Sequence, residues 1–469
     1  MRRAGTRHLL TAAVVLLHLS PCSALTLTTL VSFGGTNGAA PSAALLQGAD
    51  GNFRGTTESG GMPGSRGTIF MMTPSGALTT LLEFASPYSY GADPQAALVL
   101  GPDGDFYGAA PAGGAYSRGT AFRISPDGVP DLLYSFVGTY DGSQPFGALA
   151  RGSDGNLYGT TFGGGFYLNG TVFQMTTNGT LNSLYSFSGP DGANPYAGLI
   201  QGRDGNFYGT TEYGGGAYNG TDFSGQGTIF QLMANGTLNT LVYFGGKNGV
   251  YPTAGLVQAA DGRFYGTTYR GGTNGDNGTV FRMSTNGALT TLVMFNGTNG
   301  ALPSSGLVGA TDGSFYGTTS CGGIGYNGSP SSGYGTVFKV TTNGVLTTVA
   351  FFTGINGNTP LAGLVQGTDG NLYGTTSGGG AYNNGTVFQL SSASSPPPVF
   401  QTVSQSGAII TLTWSAVAGR AYQVQASTNF SQANWNNKNG LVTATNSTAT
   451  WSEGVGPDPQ RFYRVLLLP

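Results

Sequence analysis

Gly363-Leu364-Val365-Gln366-Gly367-Thr368-Asp369-Gly370-Asn371-Leu372-Tyr373-Gly374-Thr375-Thr376, followed by Gly385-Thr386-Val387-Phe388-Gln389, is one copy of a pattern that fills most of this chain. Its Asp-Gly pair recurs at Asp50, Asp103, Asp154, Asp204, Asp261, Asp312 and Asp369, at intervals of 50 to 57 residues. Short alternating apolar runs on that period read as blades of four antiparallel strands. In the fourth copy, residues 198–202, 206–211, 228–233 and 237–244 are the expected strands, with turns at Asp204-Gly205 and Asn235-Gly236. Asp-Gly and Asn-Gly suit tight hairpins because the favoured two-residue turns need φ > 0. Gly209 and its equivalents fall inside a strand, where glycine marks a bulge or a close approach of the backbone.

The ends of the array decide its topology. The seventh copy stops after its third strand, at residues 386–391. The missing outer strand stands at the other end, where Leu27-Thr28-Thr29-Leu30-Val31-Ser32-Phe33 matches Leu289-Thr290-Thr291-Leu292-Val293-Met294-Phe295. An open solenoid gains nothing from this offset. In a closed ring the N-terminal strand completes the last blade and removes the exposed edges. The reading is an all-β chain: a seven-bladed β-propeller over residues 25–393, closed by its N-terminal strand.

Residues 1–24 read as a secretory leader, with Arg2, Arg3 and Arg7 before a mostly apolar stretch and Cys22-Ser23-Ala24 before the cut. The rival is acylation at Cys22, for which Pro21 is a poor neighbour. Cleavage removes both histidines, His8 and His18, leaves Cys321 as the sole cysteine, and makes the net charge of −2 more negative. The mature chain therefore offers no histidine base or ligand and no internal disulfide. Without a basic patch it is not a nucleic-acid binder. No later stretch reaches the length of a transmembrane segment. Secreted, periplasmic or cell-surface locations all fit. Oligomeric state is not encoded in any pattern.

Between blades runs a link that ends in proline, at Pro41, Pro94, Pro145, Pro195, Pro252, Pro303 and Pro360. After the second strand comes a loop of variable length. Blade four carries the extra residues 221–226 and blade six the extra residues 329–334, which account for the two intervals of 57. These loops and the links share one face of a propeller. Variable loops on a rigid frame mark the face available for binding.

Residues 394–398 are a proline-rich linker, and residues 399–469 read as a small β-sandwich with strand-like segments at 409–414, 421–427, Trp435, 449–451 and 461–466. The recurring Asp-Gly-Asn-Leu-Tyr-Gly-Thr-Thr, Gly-Gly and Gly-Thr-Val-Phe-Gln, as at residues 369–376, 379–380 and 385–389, resembles the tandem repeat of the Gloeobacter–Verrucomicrobia ("GloVer") proteins. That resemblance implies a secreted or surface bacterial protein with a variable C-terminal module. It brings no established activity and no catalytic residues. Tyr422 to Ser427, Trp435 and Arg461 to Val465 make the tail similar to immunoglobulin- or fibronectin-III-like modules.

Several residues carry candidate chemistry. The repeated aspartates read as Asx turns in preference to calcium ligands, since a calcium site needs six to eight oxygens. No metal and no cofactor is expected. Glu58 and Glu212 share the position after Thr-Thr in blades one and four, and Asp222 lies in the blade-four insertion. Carboxylates on one face can perform acid–base work on a glycan, but opposite sides of a ring separate Glu58 from Glu212. Tyr213, Tyr269, Tyr326 and Tyr334 are candidate ligand-binding rings, suited to stacking on sugars. The strictly repeated Tyr116, Tyr167, Tyr218 and Tyr382 are expected to wedge between blades. The inventory favours a non-enzymatic binding or scaffold protein, with a glycan or cell-surface protein as partner. The alternatives are a polysaccharide hydrolase or lyase using Glu58, Glu212 or Asp222, and a structural spacer in a surface assembly.

Overall fold

The computed structural model describes residues 25–85, 90–221, 223–392, 398–417, 421–428, 435–454 and 461–467. The leader, Asp222 and all but the last residue of the proline linker lie outside the described residues. Contacts divide the chain into two compact units, the larger spanning Thr26–Ser391.

That unit holds seven four-stranded antiparallel sheets. In blade four the strands are Ile200–Gln201, Phe207–Thr211, Thr228–Leu232 and Leu238–Tyr243. The innermost strand is shorter than its sequence suggests. Upstream of it, the carbonyl of Ala197 accepts the Thr160 hydroxyl of blade three at 2.8 Å, so this backbone bonds to the neighbouring blade instead of its own sheet. The outer strand carries a bulge opposite Ile229 and Phe230, and the same irregularity recurs opposite Val172 and Phe173 in blade three. A bulge increases the local twist of its strand.

Gly209 is not the bulge. It pairs in register with Phe230. A Cβ there would stand 2.5 Å from the Phe230 ring and 2.8 Å from Leu199 Cδ2. Glycine is required because the third-strand phenylalanine lies across the second strand, and the copy in blade seven, Gly374, is crowded in the same way by Phe388 and Leu364.

The Thr-Thr pair is a two-way clamp. Its second hydroxyl bonds the first threonine of the third strand, as in Thr211 with Thr228 at 2.8 Å. Its first hydroxyl donates to a carbonyl of the next blade, as in Thr210 to Ala254 at 3.1 Å. Blade two has Ala109-Ala110-Pro111 in place of Thr-Thr-X and so lacks these hydroxyls.

Closure follows the sequence reading. The last sheet is ordered Leu25–Ser32, Thr386–Ser392, Leu372–Thr376, Val365–Gln366. Val31 and Phe33 are buried in one apolar cluster with Tyr373 and Val387 of blade seven and Phe53, Phe70 and Met72 of blade one. The core of the propeller thus lies between blades. Thr375 Oγ1 donates to Ala43 O at 3.1 Å, so the hydroxyl clamp also crosses the junction.

The second unit is a small β-sandwich of two three-stranded sheets. Trp414 and Leu412 of one sheet pack with Tyr422 and Val424 of the other. Two strands, Phe400–Ser406 and Asn436–Thr443, were not legible as such, and Trp435 precedes the latter instead of forming a strand. Both strands are polar and largely exposed where described, so they lack the apolar alternation that marks a strand.

Candidate functional site

Each link proline is preceded by a residue in the left-handed region: Ala40, Asp93, Gln144, Asn194, Tyr251, Leu302 and Thr359, with φ between 52° and 57°. Non-glycine residues adopt this conformation at a cost of about 1 kcal/mol or more. Two backbone hydrogen bonds hold it. Asn194 N–H donates to Asn169 O of the preceding blade at 2.8 Å, and its own carbonyl accepts from Glu212 N–H at 3.1 Å. Tyr251 is held in the same way by Gln226 and Tyr269. In blade two Pro111 has no N–H to offer, and Asp93 is instead tied to the guanidinium of Arg66.

This turn brings two positions of each blade together: the residue after the link proline and the residue after Thr-Thr. Ser42, Gln95, Tyr196, Thr253, Ser304 and Leu361 from the first set line one cavity with Glu58, Glu212 and Tyr269 from the second. Six blades contribute, so the cavity lies on the axis, at the end bearing the links and variable loops. Its volume is about 340 Å³, within the ~300–1,000 Å³ of small-molecule sites. The remaining blade supplies Phe146, whose ring stacks on Tyr196 at 4.9 Å.

Glu58 and Glu212 do not form a direct pair, and neither carboxyl perturbs the other. Their blades are distant along the ring, but the position they share turns to the axis, and both line the same cavity. Burial pushes the Glu212 carboxyl up to about 7, against one hydrogen bond from Tyr213 that lowers it. Burial also raises Glu58, with Asp93 adding to the rise and Gln95 opposing it. Tyr196 Oη donates to Gln95 Oε1 at 3.1 Å. Burial, then the fields of Glu212 and Glu58, push the Tyr196 phenol up to about 12. The hydroxyl oxygens of Ser42, Thr253 and Ser304 are buried without a hydrogen-bond partner.

Of the four tyrosines singled out by sequence, Tyr269 alone is in the cavity lining. Tyr213 packs against Phe223 and Tyr251, with ring centroids 5.4 and 5.3 Å away. Tyr326 covers Gly297, and Tyr334 lies against Gly354. The wedge expected of the repeated tyrosines holds only for Tyr218, which lies half-buried over Gly189 in the link that leads into its blade. Tyr116, Tyr167 and Tyr382 are 57%, 54% and 66% exposed, because their loop tips stand clear of the blade interfaces. Asp222 lies outside the described residues. The repeated aspartates are turn residues: Asp204 accepts from Asn206 N–H at 3.2 Å and Tyr208 Oη at 2.7 Å. In blade one Arg54 replaces the tyrosine and binds both oxygens of Asp50, holding its carboxyl down at about 2.

The Gloeobacter/Verrucomicrobia repeat profile matches residues 15–151, 133–329 and 223–425. The chain belongs to the Gloeobacter/Verrucomicrobia repeat family. No curated protein matches it in sequence. Among solved structures, this family member is similar to one from a study of two prolyl endopeptidases, at 11% identity and a TM-score of 0.42, covering 81% of this chain and 55% of that one. The chain thus spans about half the length of that protein. A protein of unknown function from Dyadobacter fermentans is 12% identical with a TM-score of 0.42, covering 79% and 99%. The β-propeller domain of the Trilobed protease from Pyrococcus furiosus is 11% identical with a TM-score of 0.40, covering 72% and 91%. None of these likenesses bears on the axial residues of the repeat protein.

Proposed function

We propose that this repeat-family protein is a secreted, non-enzymatic binding protein that takes a carbohydrate in its axial cavity. The carrying observation is the cavity lining: two tyrosine rings, a glutamine, two carboxylates and three hydroxyls whose bonding capacity is unmet. Aromatic faces stack on the apolar faces of sugar rings, and convergent polar groups fix their hydroxyls. The basic and then apolar residues 1–24 support export. The tail, two sheets packed on a buried tryptophan, suits an immunoglobulin- or fibronectin-III-like module.

A glycan array followed by titration calorimetry on the purified protein tests this reading. Saturable binding is expected, weakened about tenfold or more by Tyr269→Ala, in line with loss of a stacking ring. A folded protein that binds no glycan on the array would overturn it.

One observation favours a second reading, the hydrolase or lyase. A carboxyl held near 7 is suited to general acid catalysis. Release of reducing ends or unsaturated products from a polysaccharide panel, abolished by Glu212→Gln in a folded protein, would establish it in place of simple binding.

A further inference from the structure

The axial cavity has an excess of negative charge that the polypeptide does not answer. Glu58 and Glu212 line it, no lysine or arginine does, and neither glutamate is in an ion pair among the described residues. The nearest charged groups are already engaged. Asp93, beside Glu58, is bound by Arg66. Arg270, beside Tyr269, is bound to Asp276 at 2.9 Å. The other titratable groups around the two glutamates are Tyr196, Tyr213, Tyr251, Tyr269 and Cys321. Burial raises Tyr196, Tyr213, Tyr269 and Cys321, which keeps them uncharged near neutrality.

A neutral sugar can stack on Tyr196 and Tyr269, but it leaves two partly buried carboxylates without a counter-charge. An ammonium group supplies that charge together with three N–H donors. Tyrosine faces add cation–π attraction, which strengthens when water is excluded. The orphaned hydroxyls of Ser42, Thr253 and Ser304 call for further hydrogen-bonding groups, which a bare alkylamine lacks. We propose that the axial cavity binds the free, protonated amine of an amino sugar, with its ammonium in the field of Glu58 and Glu212, which Tyr196 also feels, and its ring against Tyr196 and Tyr269. The proposal rests on the glycan reading and narrows it to sugars whose amine is not acylated. N-acetylation removes the positive charge that the cavity carboxylates would answer.

Proton linkage gives this site a signature. Glu212 sits near 7 in the free protein, so in mildly acidic solution it is largely protonated. An ammonium ligand favours the ionised form, and binding must then release a proton. Affinity falls as pH drops through the range where Glu212 protonates.

The test is calorimetry on the purified protein at neutral pH with glucosamine, glucose, N-acetylglucosamine and Nα-acetyl-lysine amide as probes. Glucosamine is expected to bind about tenfold or more tighter than the other three. At about pH 5.5 that preference should shrink, and the binding enthalpy should vary with the buffer's heat of ionisation as a proton is released. Glu212→Gln and Glu58→Gln should each reduce the preference, with thermal melting confirming the fold. If either variant fails to fold, the probe series and the buffer dependence of the unaltered protein still decide. Glucose and N-acetylglucosamine binding as tightly as glucosamine would overturn the amine and leave the glycan reading standing. Equal binding of the lysine amide would overturn the sugar and point to a protein ligand. A protein that binds no sugar, amino or neutral, loses both readings.

Discussion

At the residue scale, Glu212 is held where the fold works against its charge. Its carboxyl is raised from 4.5 to about 7 by burial. Below the unfolded value both states are protonated and nothing is lost. Between 4.5 and about 7 the unfolded chain gives up the proton first, so stability declines, and above that range the penalty is complete. A shift of this size corresponds to at most about 3 kcal/mol, and partial exposure reduces the effect to about 1–2 kcal/mol. Glu212→Gln should therefore stabilise the protein by that amount near pH 8 and leave it unchanged near pH 4. Chemical denaturation at the two pH values measures the difference. A glutamine variant no more stable than the parent at the higher pH would show that the carboxylate is solvated or paired.

At the scale of elements, the N-terminal strand is the one most exposed to test. Removing residues 25–33 strips Val31 and Phe33 from their cluster and bares the edge of Thr386–Ser392. Loss of two buried apolar side chains alone costs about 3–6 kcal/mol, and the bared edge invites pairing with a second molecule. Removing residues 399–469 leaves the ring bonded as it is. Thermal unfolding with light scattering should find the first truncation destabilised and self-associating, and the second truncation melting as a monomer at nearly the parent temperature. A first truncation that melts like the parent would refute the role assigned to the strand.

The strands were legible because each blade repeats the same signals: alternating apolar residues, Asp-Gly and Asn-Gly turns, and an end that lacks one strand. The function of Thr-Thr was not legible, although the pair was conspicuous. Thr210 finds its carbonyl at Ala254, 44 residues away in the next blade, and no local pattern shows that partner. The cavity was hidden for a related reason. Gln95 and Leu361 are the single lining residues of their blades, Tyr196 joins Glu212 in its own, and all meet at the axis because the ring closes. Repetition drew attention to what the copies share, whereas the site is built where they differ. The place after each link proline was the signal available, since it holds Ser, Gln, Phe, Tyr, Thr, Ser and Leu in turn.

At the scale of the whole molecule, those varied side chains sit on a backbone that does not vary. Every one follows a proline preceded by a left-handed residue with φ between 52° and 57°. Leu361→Gln should accordingly shift stability by less than about 1 kcal/mol, as for a substitution away from the packed core, while altering which ligands bind. Denaturant melts beside a repeat of the glycan array would check both halves, and a large loss of stability would contradict the separation. The strained, bonded link before each proline therefore divides the labour of the chain into two scripts. One is written in glycine, threonine and proline and repeats its word seven times to make the ring, with alanine for the Thr-Thr pair in blade two alone. The other has a single letter per word, read around the axis, and can be respelled without disturbing the first.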